Sequence, residues 1–225
     1  MIWNPDPHTL HAAIALPIRL PNGRPTEQFA GYRFNPQWND RTMRGHWLVE
    51  RPRSSPDQII SHFRAARYLE GVIMVTSWGR MMRGHSRRMI YGENNRSRLR
   101  AIERAIEFCV VSISSERSIR LAWGRLVGEW TGELGWTPVM ASKTLHFLCR
   151  AIFAECRMPP VPLDSTMREL GQSWRNGLPN GHRPGGWNDN SFAAYNRYMT
   201  AIITWAQRKG WTTTEMETTL FNRQR

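Results

Sequence analysis

The stretch Pro138-Val139-Met140-Ala141-Ser142-Lys143-Thr144-Leu145-His146-Phe147-Leu148-Cys149-Arg150-Ala151-Ile152-Phe153 repeats its apolar residues at helical spacing. At about 100° per residue, Ala141, Leu145, Leu148, Cys149 and Ile152 fall on one side. Ser142, His146, Arg150 and Lys143 form a polar stripe, with Lys143 at its edge beside Met140 and Phe147. A helix from about Val139 to Phe153 is predicted. Periodicity alone makes Lys143 a solvated residue whose stem snorkels along apolar surface.

Toward the C-terminus, Pro159, Pro160 and Pro162 enforce an extended approach to Asp164. Asp164 is a good N-cap for a short helix, Ser165–Trp174, and that is its simplest role. A Gly- and Pro-rich loop from Gly177 to Trp187 precedes a long helix near Ser191–Lys209. Thr214 and Glu217 read as a capping box opening a terminal helix with Met216, Leu220 and Phe221.

Toward the N-terminus, a turn at Gly132–Pro138 follows a helix capped by Ser115 and burying Ile119, Ala122, Trp123, Leu126 and Trp130. Before it, Leu99, Ile102, Ile106 and Cys109 share one side of another helix. A polar, basic linker from Trp78 to about Asn95 separates this from a first helix. That helix starts at Ser55-Pro56-Asp57 and runs through Ile59, Phe63, Ala66 and Leu69 to about Val75. The expected organisation is all-α: a helical domain over residues 55–225, wrapped by an irregular segment, 1–54, rich in Pro, Asn and Gly.

Charge narrows the partner. Lys and Arg number 31 against 18 Asp and Glu, a formal charge of +13 on 225 residues, which favours a polyanion. Much of the excess is arginine, including Arg80, Arg83, Arg87 and Arg88, whose planar guanidinium forks onto phosphate. These positive residues sit among Trp, Met and Tyr, as on a folded surface. Cys109, Cys149 and Cys156 supply neither a disulfide framework nor the four thiolates of an iron–sulfur cluster, and His146 completes no zinc set. No metal or cofactor is expected. The N-terminus lacks the basic-then-apolar order of a signal peptide, and no apolar run is long enough to span a bilayer. A cytoplasmic, nucleoid-associated monomer with no membrane contact is expected.

Met140 through Leu148, followed by Val161-Pro162-Leu163-Asp164-Ser165-Thr166-Met167, resembles the helix-hairpin-helix DNA glycosylase superfamily, most closely its 8-oxoguanine glycosylase branch in bacteria and archaea. In that family a lysine follows the hairpin, and an aspartate about twenty residues later heads the next helix. Ser77 through Gly84, Arg88-Met89-Ile90-Tyr91-Gly92, Tyr195 through Met199, and Trp205-Ala206 through Phe221 also look like a bacterial branch of the fold. The likeness spans roughly residues 70–221.

The resemblance implies a helix-hairpin-helix fold and a bifunctional enzyme acting on double-stranded DNA. Lys143 would attack C1′ of the target nucleotide and form a Schiff base, with β-elimination following. Asp164 would activate the amine and stabilise the sugar cation. The base would be flipped into a pocket and held by stacking. In archaeal relatives a tryptophan and a phenylalanine sandwich it. Phe147 matches the phenylalanine, and Trp78 is the first choice for the tryptophan, with Trp136 or Trp187 as substitutes; His146 joins the base-binding set. Arg80, Arg83, Arg87, Arg88 and Arg150 would hold the DNA backbone. The excised base would be 8-oxoguanine by family analogy, a DNA-repair role, or a hypermodified base of phage DNA, an antiviral one.

The chain departs from the family at the hairpin, where Leu134-Gly135-Trp136-Thr137-Pro138 carries one glycine in place of several. Phosphate gripping there falls to amides around Thr137–Met140, and the arginine linker becomes the main anchor. Two other readings compete: a non-catalytic DNA-binding module of the same fold, and a metal-dependent nuclease, for which the sequence offers no acidic cluster.

Overall fold

The structure, a computed structural model, describes residues 55–78, 95–128, 134–164, 167–168 and 191–223. The segment 1–54, Trp187, and Arg80, Arg83, Arg87 and Arg88 of the basic linker lie outside these residues. The described chain is all-α. It forms α1 (Pro56–Arg64), α2 (Tyr68–Trp78), α3 (Asn95–Ser114), α4 (Ile119–Val127), α5 (Pro138–Ile152), α6 (Phe192–Lys209) and α7 (Thr213–Arg223), with no strand among the described residues.

Local chemistry explains the helix starts. Ser55 and Gln58 exchange side-chain and backbone hydrogen bonds across a capping box, with Pro56 at the first helical position. Ser118, not Ser115, caps α4, by accepting from the Leu121 N–H. Thr137 caps α5 and Ser191 caps α6 in the same way.

The single helix expected from Ser55 to about Val75 is two. Ala66 takes a left-handed φ of 55°, Arg67 N–H bonds back to the His62 carbonyl, and α2 starts at Tyr68. The break folds α2 onto α1, and the two touch at Gly71: a Cβ there would stand 2.6 Å from Cε1 of the buried Phe63 ring.

At the C-terminal end, the capping box lies two residues earlier than the sequence suggests. Thr212 N–H donates to Glu215 Oε2 at 2.8 Å, and Glu215 N–H donates to Thr212 Oγ1 at 3.1 Å. Glu217 is thereby released from capping and turns inward, 2 % exposed.

The core gathers around α5, against which α1, α2, α3 and α4 all pack. Every residue from Met140 to Cys149 is buried, including Ser142, Lys143, Thr144 and His146. The polar stripe expected to face solvent is therefore internal, because the prolines after α5 bring the chain back over it.

Gly71→Ala is expected to lower stability by about 1–3 kcal/mol, since the new methyl collides with a ring that has no free volume to retreat into. Urea unfolding of the variant beside the parent protein measures this; an unchanged midpoint would mean the α1–α2 contact yields freely.

Candidate active site

The buried stripe of α5 is matched by the non-helical chain from Pro159 to Asp164, whose backbone groups it binds. His146 Nδ1 lies 2.7 Å from the Pro160 carbonyl, and Leu163 N–H donates to Ser142 Oγ at 2.9 Å. From α6, Tyr195 OH donates to the Val161 carbonyl at 2.9 Å and Tyr198 OH to that of Pro162 at 2.7 Å. Met199 Sδ accepts the Val161 N–H at 3.3 Å, and from α7 Thr213 Oγ1 donates to the Pro159 carbonyl at 2.7 Å. Prolines at 159, 160 and 162 have no N–H to satisfy. This strap ends at Asp164.

Asp164 Oδ1 accepts the Met167 N–H at 3.0 Å, and its carbonyl accepts the Arg168 N–H at 3.0 Å. The aspartate is thus an N-cap, as expected, and half-buried. Its carboxylate acts electrostatically on Lys143, which α5 supplies, and on Glu217, which α7 supplies.

Lys143 is 7 % exposed. Burial pushes its pKa below the ordinary lysine value, while Asp164 and then Glu217 pull it back up. The Nζ atom sits 5.8 Å from the centre of the Trp78 ring, at the outer reach of a cation–π contact. The lowering favours the neutral amine that a nucleophilic lysine requires.

Trp78, the last residue of α2, is 4 % exposed and meets the fully buried Phe147 edge-to-face at 4.9 Å. The two aromatic residues expected to sandwich a base are neighbours beside Lys143, but their rings touch each other and leave no slot between them. Trp136 is buried just before α5, where its backbone N–H donates to the Leu126 carbonyl and Gly135 takes a φ of 57°. It belongs to the packing of α4 against α5.

His146 is 3 % exposed, and both ring nitrogens are engaged. The Pro160 carbonyl can only accept, so Nδ1 carries the proton and Nε2 faces Arg150 Nη1 at 3.5 Å. Burial, reinforced by Arg150, pushes its pKa down to about 3 against the hydrogen bond donated to the Pro160 carbonyl. His146 is a neutral fastener of the strap. Arg150 stands about 10 Å along α5 from Lys143, on a separate cleft of about 720 Å³ that also takes in Arg64, Arg157 and Thr212 and includes none of Lys143, Asp164 or Glu217.

The structure therefore brings together Lys143, Asp164, Trp78 and Phe147, and leaves Trp136 and Arg150 elsewhere. It adds residues that sequence reasoning missed: Glu217 as a third titratable member, and Ser142, Tyr195, Tyr198 and Thr213 as supports. The Tyr195–Tyr198 spacing on one helix face was a usable signal; for Glu217 the apparent capping box hid it. Among the described residues no group of His, Cys, Asp and Glu is arranged to hold a metal ion. No helix of the described residues is long and apolar enough to cross a membrane. No family model matches the chain, and neither the curated proteins nor the solved structures contain a significant match to it.

The state of His146 links stability to pH. Below pH 6.5 the unfolded chain takes up a proton that the folded imidazole refuses until about pH 3, so acid favours unfolding across that window. Between pH 7 and pH 5 this one group is expected to remove about 2 kcal/mol. His146→Gln, starting from a lower stability, should show a flatter decline in chemical-denaturation titrations; parallel slopes would show that the imidazole takes up its proton without unfolding.

Proposed function

We propose that the protein is a DNA glycosylase with lyase activity, of helix-hairpin-helix type, that extrudes a damaged or modified base from double-stranded DNA and excises it. The observation that carries this reading is a nearly inaccessible lysine, depressed in pKa by its burial, coupled to the carboxylate that ends a rigid strap. A lysine kept only for solubility has no reason to bear that desolvation cost.

In the proposed reaction Lys143 attacks C1′ as a free amine. Asp164 takes up the amine's proton and then balances the positive charge on the sugar. Because Asp164 is fixed by the Met167 N–H and by the clamped strap, its carboxylate is presented without reorganisation. The imine formed with C1′ then permits β-elimination of the 3′ phosphate. The entry to α5, with Gly135 in a left-handed conformation and Thr137 capping the helix, supports a hairpin role at the DNA backbone. The net charge of +13 suits the same polyanion. The branch resemblance points to 8-oxoguanine; a hypermodified phage base, and with it an antiviral role, is the competing substrate, since fold does not fix the lesion.

A second reading, a non-catalytic DNA-binding module of the same fold, draws on one observation: Trp78 and Phe147 close on each other. In the glycosylase reading the indole at the end of α2 swings off Phe147 as the base arrives. In the binding-module reading the pair is simply core.

Duplexes bearing candidate lesions, or phage-modified genomic DNA, incubated with the protein and borohydride decide between these. The glycosylase reading predicts a covalent adduct that Lys143→Ala abolishes and that Asp164→Asn slows by about 100-fold or more. Absence of base release and of any adduct across damaged, modified and abasic DNA would leave only the binding module.

A further inference from the structure

We propose that Glu217 is the acid that protonates the oxygen expelled from C1′ when the Lys143 adduct collapses to its iminium. This inference rests on the lyase reading of Lys143.

Glu217 is 2 % exposed, and its Oε2 is fully buried with no hydrogen-bond partner. A bare carboxylate oxygen in that setting is far more costly than a neutral carboxylic acid. The titratable groups acting on it come from three elements: Lys143 from α5, Asp164 from the strap, and Tyr195 and Tyr198 from α6. Two carboxyls thus share one lysine in a dry site. Asp164, half-buried, has its negative charge met by the Met167 N–H and the start of a helical turn. Glu217 Oε2 has no such hydrogen bond, so of the two carboxyls Glu217 is the one that favours keeping a proton. Burial first, and then Asp164, push its pKa up to about 8, with Lys143 opposing. The tyrosines cannot substitute, because both hydroxyls are committed to strap carbonyls and hold their protons well above the ordinary tyrosine range.

The step balances within the site. In the carbinolamine, C1′ carries both the lysine nitrogen and the departing oxygen, so that oxygen lies two bonds from Nζ. The nitrogen lone pair forms the C1′=N bond, the C1′–O pair moves onto oxygen, and that oxygen takes the proton from Glu217. An iminium and a carboxylate result, each countering the other's charge.

A duplex with a preformed abasic site tests this without knowledge of the excised base. Adduct trapping by cyanoborohydride is measured from pH 6 to about pH 9 for the parent protein and Glu217→Gln, with melting curves verifying that the variant folds. The parent rate should rise as the Lys143 amine is freed and fall again near pH 8 as Glu217 ionises. Glu217→Gln should trap about 100-fold more slowly and lack the falling limb. Equal trapping by the variant overturns the assignment while leaving the lyase reading intact, and so does a parent profile with no falling limb. A parent protein that forms no adduct removes the lyase reading and this inference together. If the variant does not fold, the parent profile decides, read beside the carboxylic-acid infrared band that should vanish over the same pH range.

Discussion

The strap from Pro159 to Asp164 is the constraint on which the rest depends. From Pro159 to Leu163, six of its backbone groups meet partners from other parts of the chain: Thr213, His146, Tyr195, Met199, Tyr198 and Ser142. A neutral hydrogen bond contributes only about 1 kcal/mol net, but leaving a buried carbonyl or amide unmet costs about 1–3 kcal/mol. The clamp is therefore close to all-or-none, and it unites α5, α6 and α7. Losing one partner loosens the carboxylate at the strap's end as well as the local bond.

The strap also explains why α5 can bury a polar face. An amphipathic helix normally turns such a stripe to water. Here Ser142 and His146 bond strap backbone, and Lys143 lies within electrostatic reach of Asp164 and Glu217. The amine is the unstable element of this arrangement: burial drives it toward neutrality while the acids hold its proton. Opposed influences of this kind are found in proton-transfer sites and in structural ion-pair networks alike.

Much of the helical layout was legible because it rests on local signals. Ser55, Ser191 and the periodicity of α5 located their helices to within a residue or two. Lys143 and Asp164 stood out through their neighbours in sequence, and the structure sets them within electrostatic reach of each other. What escaped was decided by tertiary contact. Nothing local announces the left-handed Ala66 that splits the first helix, which is set by α2 closing on Phe63. Thr214 and Glu217 satisfy the spacing of a capping box as well as Thr212 and Glu215 do; only the anchoring of Thr213 to Pro159 selects the earlier register. His146, expected at the base, is instead a fastener, because the carbonyl it holds lies fourteen residues downstream.

An extended run inside a helical protein ordinarily presents a hazard, since its free amides can recruit another chain edge-on. This one cannot act as such a template. Three of its six residues are prolines with no amide hydrogen, and of the three donors left, those of Val161 and Leu163 are engaged by Met199 and Ser142. The composition that holds Asp164 in place also makes the segment inert toward cross-strand pairing, so a partly opened molecule that exposes it gains no sticky edge.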